Sequence, residues 1–157
     1  MCAFDSKNLF ASQLMLPDTK DIRELFQVRK LLEPGLAEIA AEKRTEEDVV
    51  RLENLLTKES VNKWEADYQF HMKIASITGN GIVVRLIEFI SAATRKAMID
   101  VHQHIQTQES ISNFLNEQHV QIFKSIQSNE SNKAKENMIL HLDYVEKVLV
   151  NNVLIHT

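Results

Sequence analysis

The chain has 157 residues, 44% of them hydrophobic, which is enough for one domain with its own core. Three Gly and two Pro leave few helix breakers, and a net charge of −4 argues against a nucleic-acid surface. The single cysteine, Cys2, excludes an intrachain disulfide and a cysteine-rich zinc site, and neither an 18-residue apolar run nor a signal-peptide pattern is present, so a cytoplasmic protein is the default.

Residues 1–17 show no clear period and read as a linker or N-terminal extension ending at Pro17. Asp18 or Thr19 caps a first helix that runs to Lys43, with Ile22, Phe26, Leu32, Leu36, Ile39 and Ala40 among its inward positions. Pro34 falls inside this pattern, so a kink or break is expected there. Arg29 interrupts the apolar stripe at a core-facing position. It reads either as a structural arginine paired with Glu33 or Asp67, or as a bidentate fork for an anion. Thr45 and Asp48 form a capping box for a second helix to Glu59, which buries Val49, Leu52, Leu55 and Leu56.

The third helix, 61–78, places Phe70, Ile74 and Ile77 on one face, and Asp67 and His71 fall on that face one turn apart. Gly79 ends it, and Asn80 caps a fourth helix over 81–101. The fourth helix is apolar around nearly its whole circumference, so it is either central or buried in a partner, which predicts a homodimer. It also carries Arg95, whose face the pattern leaves open. Residues 102–109 read as a polar connection with His102 and His104 solvated. The fifth helix, 110–128, buries Ile111, Phe114, Leu115, Ile122, Phe123 and Ile126. Asn129 caps a sixth, to Asn151, with Ala134, Met138, Leu142, Val145, Val148 and Leu149 inward, and 153–157, including His156, form a tail. With no β-type alternation the fold class is all-α, an antiparallel bundle of six helices over 18–152.

His119 completes the inward series of the fifth helix, and His141 that of the sixth. Three helices thus each aim a histidine at the core, and one adds Asp67. A buried carboxylate and imidazoles are costly unless satisfied, by one another or by an ion. One oxygen and three imidazole nitrogens suit zinc, nickel, manganese or iron better than calcium or magnesium. Octahedral geometry would leave two positions open, whereas tetrahedral geometry would close the shell.

Five segments, in order, resemble the FCD effector-binding domain of bacterial GntR-family transcription regulators. They are Glu24–Pro34 (ELFQVRKLLEP), Asp67–His71 (DYQFH), Thr78–Asn80, Glu117–His119 and Met138–Leu142, and the resemblance spans residues 20–150. The six-helix count is closer to the VanR-type branch than to the FadR-type one. The resemblance implies a divalent metal on Asp67, His71, His119 and His141, and a small organic acid as effector. It implies no catalysis by this domain. Arg29 is then the first candidate to meet the acid's far end, and Arg95 the second. It also implies a winged helix-turn-helix that reads DNA, for which this chain has no room. A metal-dependent hydrolase and a hemerythrin-like or DinB-like metal-binding bundle are the alternatives.

Overall fold

The computed structural model describes residues 19–57 and 63–151, with side chains from Ile22 onward. Expectations for residues 1–17, for the end of the second helix, for Cys2 and for His156 lie outside these residues. Among the described residues are six helices: α1 Thr19–Lys43, α2 Glu46–Thr57, α3 Lys63–Ile77, α4 Gly81–Gln106, α5 Glu109–Gln127 and α6 Ser131–Leu149. Where the linkers are described they are two or three residues long, which turns each helix back along its predecessor. None of these helices is long and apolar enough to cross a membrane.

α1 is the organising helix. It packs most extensively on α6 and also touches α3, α4 and α5. Phe26, Ala37, Ala40 and Ala41 are fully buried along it, and the alanines allow close approach of its neighbours. Pro34 does not break α1, which continues through it to Lys43. Buried residues on both sides of Pro34 dock both halves against the bundle, and this offsets the lost intrahelical hydrogen bond.

The helix ends follow local chemistry. The Thr45 hydroxyl accepts from the Asp48 backbone N–H at 3.2 Å, and the Asp48 carboxylate accepts from the Thr45 N–H at 2.9 Å. Gly79 adopts φ +74°, a conformation that glycine reaches without strain, and the Asn80 side chain accepts from the N–H groups of Ile82 and Val83. Asn129, expected to cap the sixth helix, does not do so. It sits at φ +56°, and its side chain donates to the Ala41 carbonyl at 2.7 Å and accepts from Arg44 at 2.8 Å. Glu130 takes the cap position of α6 without a side-chain cap bond. Asn129 therefore ties the α5–α6 turn to the end of α1.

Three further expectations are corrected. α4 extends to Gln106, so the expected polar connection at 102–109 shrinks to Thr107 and Gln108, and His102 and His104 are helical. α4 is buried on one stripe only, through Ile87, Ile90, Thr94, Ala97, Met98 and Val101. Ile82, Leu86 and Phe89 face outward, Ile82 at 71% exposure. Ile39 and Phe114 also lie at the surface, Phe114 against the Tyr144 ring at 4.6 Å between centroids.

Candidate metal and ligand site

α3, α5 and α6 carry His71, His119 and His141 to one point in the interior, and Asp67 joins them one turn before His71. One ligand atom from each of the four residues lies within 4.8 Å of all the others. His119 Nε2 is 3.2 Å from His141 Nε2 and 3.1 Å from Asp67 Oδ1, and His71 Nε2 is 3.7 Å from the same oxygen.

The opposite ring edges are held by acceptors. His71 Nδ1 lies 2.6 Å from Glu33 Oε2, and His141 Nδ1 lies 3.3 Å from Gln118 Oε1. A carboxylate or amide oxygen accepts from Nδ1–H, which fixes that tautomer and turns the Nε2 lone pair toward the cluster. His71 Nε2 is buried and has no hydrogen-bond partner. Several acceptors converging with one nitrogen orphaned make a poor hydrogen-bond network but a well-matched donor set for a transition-metal ion.

Glu33 was legible only as a partner for Arg29, yet it forms the wall behind His71. Arg29 Nε donates to Glu33 Oε1 at 2.5 Å, and Nη2 to Oε2 at 3.4 Å. The Arg29 guanidinium also stacks on Phe26 at 5.0 Å, and the residue is 6% exposed. A chain therefore runs from Arg29 through Glu33 to His71 and the cluster.

Electrostatics follow from burial and these neighbours. Burial alone would raise the Glu33 carboxyl, but the Arg29 guanidinium and the His71 ring bring it down to about 2. Burial likewise opposes the charge on Asp67, yet the rings of His71, His102 and His119 hold its carboxyl well below the usual range. Burial pushes the His119 ring down, and Asp67 only partly offsets this. His141 is pushed well down by burial and then by His119 and His71, so both rings stay neutral, as metal ligation requires.

Two cavities flank the cluster. The one on the Arg29 side has a volume of about 10 Å³ and is lined by Tyr68, Ser91 and Thr94 as well as Arg29, Asp67 and His71. That is no more than the room one water needs. The other, of about 90 Å³, reaches Asp67, His119 and His141 between apolar walls that include Leu56, Phe70, Met98 and Leu115. His102, Gln106, Ser112 and Asn116 give it a polar side, and Lys63 stands at its rim. His102, expected to be solvated, instead has a buried Nε2 with no hydrogen-bond partner, 3.7 Å from Asp67 Oδ2. The longer α4 explains the difference, because it sets His102 beside the buried Met98, Val101 and Ile105. Arg95 stacks on Trp64 at 5.0 Å on the exposed side of α4 and lines neither of these cavities.

A side cavity that opens onto a polar interior is the form that small-ligand sites take. Comparison with known proteins agrees, since residues 24–144 match the FCD domain. The chain is 30% identical over 145 residues to the HTH-type transcriptional regulator LutR of Bacillus subtilis (strain 168), covering 88% of this chain and 66% of that protein. It is 31% identical over 138 residues to the Uxu operon regulator of Haemophilus influenzae, covering 83% of this chain and 52% of the relative. It is 28% identical over 134 residues to the Exu regulon transcriptional regulator of Escherichia coli (strain K12), covering 82% and 51%. The chain belongs to the FCD domain family of GntR-type transcription regulators, a regulatory family and not an enzyme family. It spans between half and two-thirds of the length of these three relatives.

Proposed function

We propose that this domain holds a divalent transition metal (zinc, nickel, manganese or iron) on Asp67, His71, His119 and His141, and senses a small carboxylate there. The observation that carries this reading is the gathering of four ligand atoms within 4.8 Å, with His71 Nε2 orphaned among them. A bound metal would supply a Lewis-acidic anchor for the acid's carboxylate. The chain's own groups do the rest. Glu33 and Gln118 hold the rings of His71 and His141 in register, and the larger cavity gives a small ligand a way in to Asp67, His119 and His141. Arg29 is engaged with Glu33 and does not line the larger cavity, so its part is to hold Glu33 behind His71.

The domain works as a homodimer in the cytoplasm and speaks to DNA through a separate winged helix-turn-helix. Acid binding shifts the population of two dimer arrangements by the difference in its affinity for them. The outward face of α4, with Ile82, Leu86 and Phe89, supports the dimer, which light scattering would report as twice the 18.1 kDa chain mass. Elemental analysis of protein never exposed to chelator or nickel resin tests the metal, with about one ion per chain expected. Calorimetry of acetate and citrate against metal-loaded and stripped protein tests the acid. Protein that is metal-free and takes up no added zinc, nickel or manganese would sink the reading, as would equal acid binding by the stripped form.

A further inference from the structure

We infer that His102 of α4 is a positioning residue for the metal centre: its Nε2–H holds Asp67 Oδ2 and so keeps Oδ1 aimed at the cluster. This rests on the metal reading above and is independent of the acid. It gives α4, which carries none of the four proposed ligands, a part in the site.

Three observations carry it. The first is how Asp67 divides its oxygens. Oδ1 lies 3.1 Å from His119 Nε2 and 3.7 Å from His71 Nε2, whereas Oδ2 lies 3.7 Å from His102 Nε2. One oxygen faces the gathered donors and the other faces α4. The second is the state of His102. Its Nε2 is buried and has no hydrogen-bond partner, and 3.7 Å falls just short of a hydrogen bond. A buried polar atom left in that state is costly, and the acceptor nearest to hand is Oδ2. A small rotation of the Asp67 carboxylate closes the gap, and Nε2–H donates whether the ring is neutral or cationic.

The third observation is where the ring is seated. His102 stands on α4 among the buried Met98, Val101 and Ile105, and α4 packs against α3, the helix of Asp67. It is not one of the four residues whose ligand atoms gather within 4.8 Å of one another, so it stands behind Asp67 and outside the donor set. His71 and His141 already have such holders in Glu33 and Gln118. Ligating carboxylates, like ligating imidazoles, are oriented by hydrogen bonds from outside the coordination sphere, and His102 supplies for Asp67 what those two residues supply for the rings.

Competition with a chromophoric chelator for zinc, in acid-free buffer, tests this with two variants. His102→Leu should weaken zinc binding about 10–100-fold, and His102→Gln, whose amide keeps a donor near Oδ2, should recover most of that loss. Metal-stripped His102→Leu should be no less stable in urea than the parent, because the change removes an unpartnered buried atom. In ¹⁵N NMR, zinc alone should bring up a slowly exchanging imidazole N–H that both variants lack. That signal decides the matter through His102→Gln if His102→Leu does not fold. Cobalt-loaded parent and His102→Gln should share one visible absorption spectrum, since no ligand is lost. Zinc binding by His102→Leu within about threefold of the parent would overturn this inference alone. So would a stripped variant destabilised as much as its zinc binding is weakened, an N–H that appears only once acetate is added, or a cobalt spectrum altered by His102→Gln. A parent chain that takes up no zinc removes the metal reading, and this one with it.

Discussion

Glu33→Gln is the sharpest single perturbation of the site. Glu33 is 3% exposed and accepts on two sides, from Arg29 at 2.5 Å and from His71 Nδ1 at 2.6 Å. Glutamine has nearly the same volume but only one acceptor oxygen. If that oxygen serves Arg29, the amide NH₂ faces His71 Nδ1 and forces the other tautomer, with the proton on Nε2 pointing into the cluster. If it serves His71, the NH₂ confronts the guanidinium. Either way a buried charge loses its counterion, which costs about 3–5 kcal/mol where one partner of a buried pair is removed. Against a total of about 5–15 kcal/mol that loss is easily read by urea denaturation of metal-stripped protein. If His71 ligates the proposed metal, losing the carboxylate behind it should also weaken metal affinity about 10–100-fold, read by competition with a chromophoric chelator. A variant that loses stability but binds metal within about threefold of the parent would show that Glu33 serves Arg29 alone and does not orient His71.

The other expectations concern the frame around the site. Burial alone would raise the Asp48 carboxyl, but Lys73 at 2.5 Å and the Thr45 N–H and hydroxyl hold it at about 2. A carboxyl lowered in the folded state stabilises above its unfolded pKa and loses that contribution as the pH falls toward the folded one. Asp48→Asn should therefore cost about 1 kcal/mol at pH 7, and the gap between variant and parent melting curves should close toward pH 2; a gap constant with pH would contradict the assignment. Leu142 is fully buried, so Leu142→Ala should cost about 2–5 kcal/mol in urea, whereas Leu140→Ala, at 61% exposure, should stay within about 0.5 kcal/mol. Arg95→Ala loses a stack on exposed Trp64-side surface worth at most about 1 kcal/mol and should leave acid affinity within about twofold; a tenfold loss would bring Arg95 into the site.

Helical periodicity made much of this legible. His119 and His141 stand in register with Leu115, Ile122, Met138 and Val145, and all of these are buried. The same rule, carried through α1, would have put Glu33 inward with Phe26, Arg29, Ala37 and Ala40. The Arg29–Glu33 pair reads as a structural one within α1, and spacing along one helix does not connect Glu33 to His71, 38 residues away. His102 was hidden by ending α4 too early, since Met98, Val101 and Ile105 already continued the buried series past it. Phe114 and Ile39 fit their stripes in sequence but are exposed, and periodicity does not know how far a neighbouring helix reaches. Convergence of three histidines from three helices depends on packing between segments far apart in the chain, and spacing along one helix carries no information about it.

That distance along the chain has a kinetic consequence. His141 meets His119 across 22 residues, and His71 meets Glu33 across 38, so the donor set exists only once α1, α3, α5 and α6 have all docked. Contacts completed this late are largely absent from the folding transition state, and an ion held by them lowers the native state without lowering the barrier seen from the unfolded chain. Saturating zinc should then slow unfolding while leaving the refolding rate nearly unchanged.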